Sequence, residues 1–269
     1  TQQARYIAHP ARHPTIGYID QFSVITRDEI HDFYRRMYVP NNMVFVVVGD
    51  IDKQKVVDQI ASLCNDAEVG ELPSLSFPVE PEIEEPRELS GTASIRRPRL
   101  RLAWPGTKLG GEGDYALDLL GVILGQGEAS RLVQTVRDRD QVVTTIDADN
   151  ASFPWGKGFF GVDAEVATPA TNDAGEINRA VDAAKAAILR EVDRLKGQGI
   201  TDEELASAQR QTIARVAMSG QTAQGIASRL ASDTIGMGDP DYMQHYAESI
   251  RKITKGQVMA AAHQFLKPN

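Results

Sequence analysis

Apolar positions recur along the chain with two periods, and the switches between them mark out its elements. Ile30, Phe33, Tyr34, Met37 and Tyr38 return every three or four residues, which places them on one stripe of a helix. Thr26 stands before the stripe with Glu29 three residues on, the pattern of a capping box, and Pro40-Asn41-Asn42 stops the helix. Residues 43–48 follow as an unbroken run of Met, Val and Phe. It has no polar alternation, which predicts a strand buried on both faces. A second helix is predicted over residues 52–63, with Val56, Val57, Ile60 and Leu63 inward. Upstream, the stretch from Ala8 to Gly17 reads as loop, because Pro10 and Pro14 block continuous helix.

Periodicity lapses between residues 66 and 92. Pro73, Pro78, Pro81 and Pro86 alternate there with Glu71, Glu80, Glu82, Glu84, Glu85 and Glu88. The stretch is too proline-rich for helix and too acidic for core, so an extended inter-domain linker is expected rather than an acidic binding arm. The pattern resumes over residues 95–104, with Arg97, Arg99 and Arg101 on one side and Leu100 and Leu102 on the other, a half-buried strand. A helix is predicted over 114–124 on the stripe Leu117, Leu120 and Leu124, and a short one over 130–139. Strands are expected over 142–148 and 159–166, joined by a hairpin-like connection through Pro154 and Gly156. An alanine-rich amphipathic helix over 176–196 follows. Thr201 and Glu204 cap another that runs toward Ile235 with a break near Gly220 or Gly225. A further helix starts after Asp239-Pro240, and Thr254 with Gln257 caps the last.

That last helix repeats the first. Displaced by 228 residues, the capping Thr, the Glu or Gln, the next Ile or Val, two apolar residues and the Pro-Asn stop coincide without a gap. A duplicated αβ domain is therefore expected. Since the first copy enters its strand after Asn41, the layout expected is the tail of a first domain (1–65), a linker (66–92) and a second domain (93–269) lacking its final strand.

Composition narrows the function classes. A net charge of −8, from 29 basic and 37 acidic residues, argues against a nucleic-acid-binding face. The longest apolar run, 43–48, is far short of a membrane span. The single Cys64 excludes an intramolecular disulfide and a CxxC metal site. The first residues, Thr1-Gln2-Gln3, carry neither an initiator Met nor a signal region, so an excised piece is expected. His9 and His13 are four apart, but Pro10 and Pro14 oppose the helix that would bring them onto one metal. Gly121, Gly125 and Gly127 follow helix rather than strand, so a structural turn is expected in place of a phosphate loop. No G-x-S-x-G surrounds any serine, Ser130 included. Trp155 and Phe159-Phe160 suit hairpin packing more simply than an exposed contact loop.

Several of these segments together carry a resemblance. His9-Pro10 through Gly17, Thr26-Arg27-Asp28-Glu29, Tyr38-Val39-Pro40-Asn41-Asn42-Met43 and Val46-Val47-Val48-Gly49-Asp50 closely resemble the pitrilysin/insulinase family of zinc metallopeptidases. Leu124-Gly125-Gln126-Gly127 with Ser130-Arg131-Leu132 and Val136-Arg137 is similar to the same family's glycine-rich turn and following helix. The resemblance implies an α+β fold of duplicated αβ domains, each an antiparallel or mixed sheet packed against helices, as in mitochondrial processing peptidase. Family members hold zinc with an inverted H-x-x-E-H helix, whose two His share one face while the Glu activates the bound water. None of His9, His13, His31, His245 and His263 stands in such a motif. The resemblance therefore implies no metal ligand and no catalytic residue in this chain, and zinc in a longer parent. It implies a non-catalytic part of a zinc metalloendopeptidase that helps enclose peptide substrates. The partners implied are the remaining domains of the parent or a homologous partner subunit. Arg137 matches the Arg of the family's substrate-binding Arg/Tyr pair and is the candidate site residue. The Tyr position is Thr144, a departure that motivates a second reading, a catalytically inactive scaffold. The resemblance leaves the compartment open, with an exported, periplasmic parent as its suggestion for a bacterial source.

Overall fold

The computed structural model describes residues 2–74, 76–83, 85–168 and 173–267. Glu84 of the acidic stretch and the Pro268-Asn269 stop lie outside the described residues. The chain begins with short helices α1 (Gln2–Arg5) and α2 (Ile19–Phe22), then α3 (Arg27–Met37) and α4 (Lys53–Leu63). Both bonds of the expected capping box on α3 are formed: the Thr26 hydroxyl accepts from Glu29 N, and the Glu29 carboxylate accepts from Thr26 N. Asp52 caps α4 through Lys55 N.

The burial expected in this part is not found. Ile30, Phe33, Tyr34 and Tyr38 are all more than half exposed; in the run 43–48, Met43, Val44, Phe45 and Val47 are exposed, Phe45 most at 55%, while Val46 and Val48 are half-buried. That run is not a strand and pairs with no described residue. On α4, Val56 and Ile60 are half-buried, but Val57 and Leu63 are exposed. The physical reason is that an apolar stripe or run is only half an interface. A strand needs a neighbour for its N–H and C=O groups, and no described segment forms a ladder with this one.

Between α4 and β1 (Arg99–Pro105) the described residues form no helix or strand, in keeping with an extended acidic stretch. The elements that follow are α5 (Asp114–Gly125), a π-helical segment (Val133–Arg139), β2 (Val143–Phe153), β3 (Gly156–Val166), α6 (Ala174–Gln198), α7 (Asp202–Ser219), α8 (Ala223–Met237), α9 (Tyr242–Lys252) and α10 (Lys255–Phe265). The three strands form one antiparallel sheet in the order β1-β3-β2. β1 starts at Arg99 rather than residue 95, and the hairpin strands reach further than expected, meeting at a turn over Pro154-Trp155. The long helix expected after Thr201 breaks at Gly220-Gln221-Thr222, where the Thr222 hydroxyl starts α8 by accepting from Gly225 N.

The core lies between the sheet and the helices. α5 is buried nearly all round, Leu119, Val122 and Ile123 as well as the predicted stripe of Leu117, Leu120 and Leu124. It packs on β2 on one side and on α7, α9 and α10 on others, so a single-stripe reading undercounts it. Phe160 and Val162 from β3 and Ile188, Val192 and Leu195 from α6 complete the same cluster. At roughly 1.5–3 kcal/mol per fully buried large aliphatic side chain, this cluster is the principal stabilising feature of the chain.

The repeat survives in three dimensions. Lys255 less Arg27 and Phe265 less Met37 both give 228, and both helices carry complete capping boxes. The residues that end them, Tyr38 (φ −94°, ψ 66°) and Leu266 (φ −86°, ψ 53°), share one conformation.

Candidate functional site

Arg137 sits on the π-helical segment, where Asp140 N donates to Thr135 O five residues back. Such wide turns recur at functional sites, and no periodicity in the sequence announces them. The Arg137 guanidinium is bidentate on Glu128 and also bonds Asp138 at 2.7 Å. Hydrogen bonding to Glu128, then to Asp138, holds the guanidinium pKa above its usual value, while Arg137 holds the Glu128 carboxyl below its own. Thr144 lies on β2, with its hydroxyl 3.1 Å from Glu165 Oε1 and 3.3 Å from Glu165 O. Arg137 and Thr144 thus have separate partners and share no ligand-facing bond.

The glycine-rich turn is structural. Gly125 ends α5 against β2, and a Cβ there would stand 2.2 Å from Ala148 N. Gly127 adopts φ 87°, which glycine reaches at no steric cost, and its carbonyl accepts from Ser130 Oγ at 2.7 Å. Ser130 is itself buried, with its hydroxyl engaged in that contact. The turn follows the C-terminal, negative end of a helix, which disfavours phosphate.

The histidines do not converge. His9 stacks on Trp155 at 4.8 Å and its Nδ1 accepts from Ala11 N. His13 Nδ1 pairs with the Tyr18 hydroxyl, and His245 Nδ1 with Asp239. Among the described residues no group of three or more His, Cys, Asp or Glu is placed to hold a metal ion. The residues present do not fit the zinc that the resemblance implies for a parent. Trp155 answers both expectations for its loop: it packs on Phe153 and His9, yet remains 46% exposed.

One cluster escaped the sequence reading. Asp114, only 1% exposed, and Asp118 lie one turn apart on α5, and Asn150 Nδ2 bridges their carboxylates at 2.8 Å each. Gly110 N donates to Asp114 at 2.7 Å and the Tyr246 hydroxyl to Asp118 at 2.9 Å. Burial, reinforced by the Asp114 charge, raises the Asp118 pKa to about 6 against the pull of Asn150 and Tyr246. The Tyr242 hydroxyl and Asn150 Oδ1 are buried beside it without a hydrogen-bond partner. The signal was available, since two aspartates four apart interrupt an otherwise apolar helix. The cluster joins α5, β2 and α9. A shallow cavity of about 360 Å³ is lined by Arg139, Arg190 and Arg194, whose cations already face Asp140 and Glu191.

Comparison with known proteins places these features. The profile of the peptidase M16 inactive domain matches residues 25–212. An uncharacterized zinc protease of Streptomyces coelicolor is 25% identical over 260 residues, 94% of this chain and 54% of the relative. A zinc protease of Helicobacter pylori, PqqE, is 28% identical over 151 residues, 54% of this chain and 33% of the relative. The chain therefore spans little more than half the length of the relatives it matches from end to end. In fold it is similar to a protease from Helicobacter pylori, with TM-score 0.82, 20% identity, and 99% of this chain and 62% of that one covered. It is also similar to a peptidase M16 inactive domain from Pseudomonas fluorescens, with TM-score 0.77, 19% identity, and 99% and 61% covered.

Proposed function

Because this chain belongs to the peptidase M16 inactive-domain family, we propose that it is a non-catalytic part of a zinc metalloendopeptidase, forming one wall of the chamber that encloses a peptide substrate. The observation that carries this reading is the family match joined to a sequence with no H-x-x-E-H. Zinc and the groups that cleave would come from elsewhere in the parent or from a homologous subunit. Residues 1–65 would be the tail of a first αβ domain, whose exposed stripe and extended run are covered by the rest of that domain. The second domain, 93–269, would be joined to it through 66–92.

Arg137 is the residue through which this chain would touch peptide. Its guanidinium keeps a planar fork suited to a carboxylate or carbonyl, provided Glu128 lets go of it. The test is metal content and peptidase activity in two samples. This chain alone should retain substoichiometric zinc and cleave no peptide, whereas the parent should hold one zinc and cleave. A parent with neither zinc nor activity would overturn the peptidase reading. That outcome would favour a scaffold, for which Thr144 speaks: it stands at the family's Tyr position and is bonded to Glu165.

A further inference from the structure

The Arg137 fork is filled by a carboxylate of the chain itself, and the manner of filling specifies what can replace it. On the premise that Arg137 touches peptide, we propose that Glu128 is a tethered competitor for that contact, so that the site selects a peptide carboxylate, terminal or side-chain, and passes over neutral groups. The two edges of the guanidinium are used differently. Nε donates at 2.7 Å to Asp138, a neighbour on the same π-helical segment, and this bond fixes the plane of the group. Nη1 and Nη2 donate to the two oxygens of Glu128 at 3.3 and 2.5 Å. The end presented in this way is the one that meets a carboxylate with two parallel bonds. Arg137 is the fixed member of the pair, with its side chain 28% exposed, whereas that of Glu128 is 84% exposed. Glu128 can therefore swing into water by side-chain rotation alone. The turn that carries it stays in place, because the Ser130 hydroxyl holds Gly127 O and Gly125 is seated against Ala148.

The balance of the exchange sets the ligand class. An exposed ion pair contributes little to stability, so one carboxylate replaces another at small cost. A neutral carbonyl brings neither the charge nor the second bond, and it must compete with a carboxylate that the tether keeps at high local concentration. It leaves Glu128 in place. Asp138 already sets one negative charge on the guanidinium, so a second, single charge is better matched than a phosphate dianion. Glu128 thus acts as a specificity-determining residue of the wall, and it does so without contacting the peptide.

The experiment follows the Arg137 Nε–H signal in proton–nitrogen NMR spectra of the whole labelled chain, identified by its loss in Arg137→Lys. Three short peptides are titrated at constant ionic strength: acetyl-Gly-Gly-Gly with a free C-terminus, its C-terminal amide, and acetyl-Gly-Asp-Gly amide. The same titrations are run on Glu128→Gln, an exposed and nearly isosteric change. The expected result is a shift of the signal by a carboxylate peptide and none by the uncharged amide, with binding roughly two- to fivefold tighter in Glu128→Gln. Whichever carboxylate peptide shifts the signal identifies the source, terminus or side chain. Equal responses to the carboxylate peptides and the uncharged amide overturn the proposal. So does a carboxylate affinity unchanged in Glu128→Gln, or the absence of any response in that variant. The readout needs neither zinc nor cleavage, so a parent without peptidase activity leaves its result standing, and its failure leaves the zinc and activity measurements untouched.

Discussion

Asp118 shows how one buried group sets a pH dependence. An unperturbed aspartate titrates near 3.8, and in the fold Asp118 is raised to about 6. The folded state therefore binds its proton more tightly than the unfolded state, so stability is greatest below about pH 4 as far as this group decides it. It falls as pH rises through about 6, by roughly 2–3 kcal/mol in all. Asp118→Asn keeps both contacts, since the amide oxygen accepts from Asn150 and the amide nitrogen donates to Tyr246. Urea unfolding should show the variant more stable than the unsubstituted chain at pH 8, with the gap closing by pH 4. An equal gap at both pH values would contradict the assignment. Arg137 belongs to the same scale. If it binds peptide, Arg137→Ala in the parent enzyme should raise KM about tenfold with little change in kcat, the signature of lost ground-state and transition-state binding alike. An unchanged KM in steady-state assays would return Arg137 to a surface ion pair with Glu128.

At the scale of elements, the helix starts are local events. Thr26, Thr201 and Thr254 each cap a helix within four residues, and all three were legible because the capping box is written in adjacent side chains. Thr254→Ala should cost about 1 kcal/mol in thermal unfolding, because it leaves an N–H of the first turn without a partner. The π-helical segment and the all-round burial of α5 were not legible, since each depends on what lies alongside. Gly125 is the clearest junction between the two kinds of information. Its place in a Gly-x-Gly turn is visible in sequence, but the reason for glycine is the backbone of β2 at Ala148. Gly125→Ala should destabilise by at least about 1–3 kcal/mol, the usual cost of overpacking, because the obstacle is main chain that cannot rotate away. A Tm within a degree of the unsubstituted chain's would refute that close approach.

Across the whole molecule, Glu80 is one of the groups that fasten the first residues to the rest, beside the Tyr6 hydroxyl on Lys157 O and Arg5 over the Phe159 ring. Glu80 accepts from the backbone amides of Ile7, Ala8 and His9 at 2.6, 3.0 and 2.8 Å, while Tyr6 and His9 pack against Trp155. Burial pushes the Glu80 carboxyl up, but the three amides outweigh it and hold it below the usual range. Its contribution is accordingly present above the ordinary glutamate pKa and is lost as pH falls through the lower folded value. Glu80→Gln should speed proteolytic cleavage within residues 7–13, leaving the 93–269 part resistant, a pattern read directly by mass spectrometry of limited digests.

Sequence alone determined the helix caps, the 228-residue repeat, the order of strands and helices from β1 onward apart from the break between α7 and α8, and the family resemblance, because each is carried by neighbours a few residues apart or by direct correspondence of side chains. Only the tertiary structure decided which apolar surfaces are covered. The stripes on α3 and α5 are both apolar, yet one stays exposed and the other is enclosed, because burial requires a second surface that the stripe itself does not specify. The same holds for charge. Asp118 and Arg137 are ordinary in sequence, and their properties come from Asn150, Tyr246 and Glu128, which the fold brings within hydrogen-bonding distance.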